Sequence, residues 1–378
     1  MRNASAIKMH FWTPEITRFG GGIGLLSREL ADVLRASEGV ALTRLIARAD
    51  SNGQYGDLPL SGAGAWPESW RTPVFAMLAA VHALRARPGV VVATHLHFGP
   101  LAFWLRRLQG TRYILLAHGV EISPALSPLR LRALRQADMI LAVSRWAESR
   151  LLELGVDQRR ISLLPNTFRE ELFSPGPPEP ELRAHYGIQP GERIILTVGR
   201  LAASEHYKGH DRVIAALPQI QQRVGPVRYL IVGDGDDANR IAAFAERLGT
   251  RHRIVLCGHV PDSELAAHYR LADVFAMPST GEGFGIAFLE ALACGIPVLA
   301  GSSDGARDAL ADGELGLLVD PLDIAAIGAG LVQLLQRQGP PQWFDPESLR
   351  QTVIQRFGRR AFARRVGTIL SGLLHSQG

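Results

Sequence analysis

The chain has 378 residues, is 47% hydrophobic and 20% charged, and carries a formal net charge of +5. That size and apolar content exclude a disordered chain and a disulfide-stapled miniprotein, and predict two or three packed domains. The two cysteines, Cys257 and Cys294, stand in apolar surroundings, so they read as small buried hydrophobes in a reducing compartment. Charge is uneven: residues 1–175 hold 21 Lys/Arg against 14 Asp/Glu, and the remainder holds 20 against 22. Arginines cluster at Arg85/Arg87, Arg106/Arg107 and Arg130/Arg132/Arg135. Such clusters suit anionic lipid or lipid-linked pyrophosphate, or form a plain solvated face. No zinc-finger, RNA-recognition or basic-zipper pattern is present, so nucleic acid is not an expected partner. No targeting pattern opens the chain, and the apolar stretch 88–105 is broken by His95, His97 and Gly99-Pro100, so no membrane span is predicted.

In chain order, strands are predicted at Ile7–Phe11, Val40–Ala47, Val90–Leu96, Arg112–Ala117, Met139–Val143 and Ile161–Leu164. A second series follows at Arg193–Val198, Arg228–Val232, Ile254–Cys257, Val274–Met277, Pro297–Ala300 and Gly316–Val319. Between them lie stretches of helical periodicity such as Ile23–Leu34 and Arg240–Leu248. This alternation predicts βαβ units and parallel sheets, hence two doubly wound α/β domains with a cleft between them. The Pro-rich segment Ser174–Pro180 reads as a stiff linker. The last stretch, Ser348–Leu374, reads as a basic helix.

Several strand ends carry polar groups. Phe19-Gly-Gly-Gly-Ile-Gly24 precedes a helix, and its glycines permit close backbone approach. His95 and His97 alternate to one side of a predicted strand and read as lining a pocket. His118 ends the Arg112–Ala117 strand, and Ser144 reads as a helix N-cap. Arg200 and Lys208 flank a loop between a strand and a helix, where two cations suit a diphosphate. Gly233-Asp-Gly-Asp-Asp-Ala238 matches a dinucleotide-type pattern, but it reads as a strand-end turn, with Asp234 and Asp236 as turn residues rather than metal ligands.

The densest signal runs from Pro278 to Pro297. It reads as a strand end, a glycine-rich loop and a helix that stops at Gly295. Free N–H groups of the loop and the positive end of the helix suit an anion. Glu282 falls in the loop and Glu290 about two turns down the helix, rotated by roughly 80°. The apolar flanks of Glu290 predict burial, and a buried carboxylate needs a partner.

This segment resembles the signature of the retaining glycosyltransferases of family 4, which have the GT-B fold: two Rossmann-like doubly wound domains facing across a cleft. The resemblance implies an acceptor-binding domain at 1–172, a linker at 173–190, a nucleotide-sugar domain at 191–347, and a C-terminal helix at 348–378 packing back on the first domain. It implies that Arg200 and Lys208 hold the pyrophosphate of the donor, and that Gly258, His259 and Val260 bracket the base through their backbone. Glu290 takes the ribose hydroxyls, and Glu282 meets sugar hydroxyls beside the anomeric carbon. The N–H groups of Gly283, Phe284 and Gly285 meet sugar or phosphate. In the first half, Gly21 and Gly22 approach donor phosphate and acceptor, and His118 reaches the transferring sugar. The implied catalytic group is thus Glu282, His118, Arg200 and Lys208. Leu164-Pro-Asn166-Thr167 resembles the Pro-Asn-Gly of the family, with Thr where Gly is usual, so Asn166 is left out of that group.

The implied activity is metal-independent, retaining hexosyl transfer from a nucleotide-diphosphate sugar, with GDP-mannose and UDP-glucose both open. No cofactor or metal is expected. The implied acceptor is lipid-linked or polysaccharide, and the setting is cytoplasmic, on the inner face of a plasma membrane contacted through the basic N-terminal half. A GT-B nucleotide-sugar epimerase and a non-catalytic nucleotide-sugar-binding protein stay open as alternatives.

Overall fold

A computed structural model describes residues 6–17, 21–122 and 126–375. The chain divides into two units after Thr167, and the segment from Arg360 onward returns to the first. Ser348–Arg359 belongs to the second unit.

The first unit holds strands β1 (Ile7–Thr13), β2 (Val40–Ala47), β3 (Gly53–Tyr55), β4 (Leu58–Gly62), β5 (Val90–Ala93), β6 (Arg112–Ala117), β7 (Met139–Ala142) and β8 (Ile161–Leu163). They form one sheet in the order β3-β4-β2-β1-β5-β6-β7-β8, parallel except at the β3–β4 hairpin. Helices α1 (Gly22–Ala36), α2 (Glu68–Ala86), α3 (Gly99–Gln109), α4 (Pro128–Arg135) and α5 (Arg145–Glu153) connect them. The β1 residues Met9, Phe11 and Trp12 are all fully buried although successive side chains alternate faces. A parallel sheet covered on both sides therefore produces continuous apolar strands. The β3–β4 hairpin was absent from the sequence expectation, because Gly53–Leu60 is rich in turn residues and too short for a periodic signal.

The second unit holds α6 (Pro180–His185), which begins inside the expected linker, then β9 (Arg193–Val198), α7 (His210–Val224), β10 (Val227–Val232), α8 (Ala238–Arg247), β11 (Ile254–Gly258), α9 (Asp262–Leu271) and β12 (Val274–Met277). It continues with α10 (Ile286–Ala293), β13 (Val298–Gly301), α11 (Ala306–Ala309), β14 (Leu317–Val319), α12 (Ile324–Leu335) and α13 (Pro346–Phe357). Its six strands lie in the order β11-β10-β9-β12-β13-β14, and every neighbouring pair is parallel. The chain steps outward from β9 to β11, then crosses back to β12 beside β9. That reversal is a topological switch point, where the loops after two adjacent strands splay apart and leave room for a ligand. Val274 pairs with Ile195 and Phe275 with Leu196, so Arg200 after β9 and Glu282 after β12 emerge on the same sheet edge. The core beneath includes Ile195, Tyr229 and Ile231 packed with Val213, Leu217 and Leu331.

The expected single C-terminal helix is two, α13 and α14 (Arg359–His375). The break falls at Gly358, whose backbone is extended, with ψ 166°.

Candidate functional site

In the second unit, the loop Pro278–Gly285 joins β12 to α10. Gly285 ends it with φ 89°, and a Cβ there would meet the Phe288 ring at 2.4 Å, so only glycine fits. The shape of the loop is set from outside it. Asp304, 1% exposed and lying beyond β13, accepts hydrogen bonds through Oδ2 from Ser279 Oγ (2.7 Å) and from the Glu282 backbone N–H (2.7 Å). Its Oδ1 accepts from the Ala306 N–H at 3.0 Å, and the Gly305 N–H donates to the Glu282 carbonyl at 2.9 Å. A Cβ on Gly305 would meet the Gly283 carbonyl at 2.0 Å, so glycine is required for the two loops to touch. Sequence reasoning missed Asp304. Its position just before α11 reads only as a helix-start acid, and its partners lie 22 and 25 residues away.

Burial is the main force on these carboxyls. It pushes Glu282 up to about 7, against the pull of Lys208, with Asp304 and Glu205 adding to the rise. It pushes Asp304 up to about 6 despite the hydrogen bonds it accepts.

The two expected cations face differently. Lys208 is buried, with Nζ 2.5 Å from Glu205 Oε2 and donating to the Arg200 carbonyl at 3.1 Å. The Arg200 guanidinium is largely exposed and pairs with the other oxygen of Glu205. One carboxylate thus ties both cations, leaving a net single positive charge. Glu205 was also missed, although a Glu three residues before Lys208 in a loop that folds as a 3-10 turn was its visible signal. The turn Gly233–Ala238 supports this loop: the Leu201 N–H donates to the Asp234 carbonyl at 3.0 Å and the Ala203 N–H to Asp236 Oδ1 at 2.8 Å. Asp234 and Asp236 act as turn residues here.

Glu290 lies on α10, half-buried, and has the partner its surroundings demand: Tyr269 Oη donates to Oε2 at 2.8 Å. Burial pushes its carboxyl up to about 7, and the Tyr269 hydrogen bond and Arg169 pull the other way. Gly258, His259 and Val260 leave the end of β11. The Gly258 carbonyl accepts from the Gly233 N–H at 2.9 Å, His259 is exposed, and Val260 is buried. Cys294 is buried, as expected, but Cys257 is half-exposed, because it sits at the end of the edge strand β11.

In the first unit, His118 is buried just beyond β6. Its Nε2 bonds the Thr94 carbonyl at 2.8 Å, which fixes that nitrogen as the donor, and its backbone N–H donates to Glu121 Oε1 at 2.8 Å. Gly21 and Gly22 are exposed at the start of α1, while Phe19 and Gly20 lie outside the described residues. The strand expected at Val90–Leu96 ends at Ala93, so His95 and His97 do not alternate along it. Instead, His95 caps a 3-10 turn, its Nδ1 accepting from the His97 N–H at 3.2 Å. The chain turns there because α3 starts at Gly99 immediately afterwards, with Pro100 in its first turn. The His95 ring lies 4.3 Å from that of His97 and 6.2 Å from that of His118. Burial pushes His95 down to about 3, so it is neutral.

Two family models match successive stretches of the chain: "Glycosyl transferase 4-like domain" over residues 21–167 and "Glycosyl transferases group 1" over residues 178–351. The chain belongs to the family 4 glycosyltransferases of GT-B fold. The chain is 36% identical over 250 residues to the GDP-mannose-dependent alpha-(1-6)-phosphatidylinositol monomannoside mannosyltransferase of Mycolicibacterium smegmatis, covering 63% of each chain. It is 32% identical over 232 residues to the D-inositol 3-phosphate glycosyltransferase of Segniliparus rotundus, covering 58% of this chain and 50% of that relative. The matches thus span between half and two thirds of these relatives. Among solved structures, the fold resembles sucrose-phosphate synthase from Thermosynechococcus elongatus, with a TM-score of 0.80 at 22% identity over 98% of this chain and 100% of that one. It also resembles HepE of Anabaena in complex with UDP and glucose, with a TM-score of 0.75 at 19% identity over 97% and 100%.

Proposed function

We propose that this glycosyltransferase moves a hexose, with retention and without a metal, from a nucleotide-diphosphate sugar to a hydroxyl of a lipid-linked or polysaccharide acceptor. The observation that carries the reading is the meeting of the Arg200–Glu205–Lys208 cluster with the Glu282–Glu290 loop and helix at one switch point. Arg200 and Lys208 neutralise the leaving diphosphate. The N–H groups of Gly283, Phe284 and Gly285 meet sugar or phosphate, and Glu290 receives the ribose hydroxyls on the oxygen that Tyr269 does not occupy. Gly258, His259 and Val260 bracket the base. Glu282 orients the sugar. On the first unit, His118, Gly21 and Gly22 are the residues that the family resemblance assigns to the transferring sugar and the donor phosphate.

In the reaction, the acceptor oxygen bonds to the anomeric carbon on the face from which the diphosphate departs. The bond from that carbon to the phosphate oxygen breaks, and the departing phosphate takes the acceptor proton. Catalysis rests on positioning and on stabilising the charge that develops on the diphosphate. The similarity to a GDP-mannose-dependent enzyme favours GDP-mannose as the donor, and the lipid acceptor in the name of that relative supports a lipid-linked acceptor.

Thermal stabilisation by GDP, UDP, ADP and their sugar conjugates tests the donor. A ligand at about a hundred times its Kd adds roughly 2.7 kcal/mol, which Glu290→Ala should abolish. A donor-independent melting point in the wild type defeats the reading. A β-linked product from an α-linked donor, seen by proton NMR, defeats retention.

A further inference from the structure

Helix α2 presents an apolar face that none of the described residues covers. Trp70, Met77, Val81 and Leu84 are all exposed, Trp70 by 59% and Met77 by 57%. At 100° per residue they fall within an arc of roughly 60°. The opposite face, Phe75, Ala79 and Ala83, is buried in the unit. Between Arg71 and Arg85 the helix carries no formal charge. The neighbouring α3, joined to α2 by Gln109 Nε2 donating to the Ala83 carbonyl at 3.1 Å, exposes Trp104 and Leu108, the latter by 70%. An exposed apolar face of this kind is uncommon on a monomeric protein and marks something that covers it.

The charges around it select the occupant. Arg85, Arg87 and Arg107 are exposed at its margin, and the one acid of α2, Glu68, is paired with Arg48 and Arg71. Among the described residues no helix is long and apolar enough to cross a membrane. A helix with a Trp- and Leu-bearing face and an arginine margin binds in the plane of an anionic lipid surface. We infer that the exposed faces of α2 and α3 seat this protein on an anionic membrane, with Trp70, Met77, Leu84, Trp104 and Leu108 entering the headgroup boundary and Arg85, Arg87 and Arg107 pairing with lipid phosphates. This deepens the lipid-linked acceptor proposed above and rests on it for its purpose.

The experiment is flotation of the full chain with vesicles of phosphatidylglycerol and phosphatidylcholine in equal amounts, beside vesicles of phosphatidylcholine alone. The wild type is expected to float with the mixed vesicles and less with the neutral ones. It should keep part of its binding in high salt, because apolar insertion is not screened. Trp70→Ser/Met77→Ser/Leu84→Ser should reduce vesicle partition by about tenfold or more, and Arg85→Glu/Arg87→Glu should weaken binding to the mixed vesicles alone. The melting-point shift with GDP is read on each variant and should be retained, so lipid binding and donor binding can fail separately. Failure of the wild type to float, or equal flotation of the triple variant, overturns the inference. A wild-type dimer that the triple variant converts to monomer also overturns it, because a second copy then covers the face.

Discussion

The carboxylate of Asp304 holds Glu282 by its backbone: Oδ2 accepts the Glu282 N–H and the Ser279 hydroxyl together, each at 2.7 Å. Glu282 is therefore presented by a residue on a different strand-end loop. An asparagine at 304 has one acceptor oxygen, so if that oxygen keeps the Glu282 and Ser279 bonds its Nδ2 faces the Ala306 N–H, donor against donor, and the cradle shifts. Asp304→Asn should lower kcat for sugar transfer by about tenfold or more through misplacement of Glu282, and change donor KM less. Equal kcat in steady-state assays would reject the positioning role. Gly305→Ala, which drives a methyl into the Gly283 carbonyl, should destabilise the fold by about 1–3 kcal/mol in urea titrations.

Glu205 is the counter-ion of a buried lysine. Its removal leaves Lys208 charged and unpaired in a largely dry setting. Glu205→Ala should destabilise by about 3 kcal/mol, and adding Lys208→Met should recover much of that loss, because no buried charge then remains. Chemical denaturation of the two single variants and the double variant measures the coupling. Additive losses would mean that the pair contributes nothing.

The acids of the site make stability depend on pH in a defined direction. Glu282 and Glu290 rise from 4.5 to about 7, and Asp304 from 3.8 to about 6. Each raised value means the folded chain holds protons that the unfolded chain has released. Their contribution is complete below about pH 4 and is lost as pH rises toward 7. Glu290→Gln should flatten the fall in melting temperature between pH 5 and 7 relative to wild type. Identical slopes would exclude Glu290 as a source.

Tyr269 stabilises the ionised form of Glu290 by donating to it. Tyr269→Phe should lift the Glu290 carboxyl further above about 7, a change read by carbon-13 NMR of the side chain, and should shrink the melting-point shift caused by the donor. An unmoved carboxyl resonance titration would show that the hydrogen bond is absent in solution.

Much of this was legible along the chain. The apolar runs of β9, β10 and β12 read as buried strands because both faces are covered, so no side-chain alternation interrupts them. Glu282, Glu290, Arg200 and Lys208 were legible because the turn residues around them are local and dense. Asp304 was not, since an acid near a helix start looks like any solvated acid until its partner is known, and Glu205 offered only its spacing of three residues before Lys208. His95 and His97 were misread because a strand period was extended three residues past the strand's end at Ala93, into the 3-10 turn that leads to α3.

The amino-acid sequence by itself determined the two parallel-sheet units, the strand-end loops that hold Arg200, Lys208 and Glu282, and the family, because each depends on patterns only a few residues long. Tertiary structure alone decided which carboxylate holds the Glu282 loop, that Lys208 is buried while Arg200 is exposed, and that one face of α2 is left without cover. Those facts depend on strand order and on burial, which bring together residues far apart in the chain and set how strongly each charge is felt.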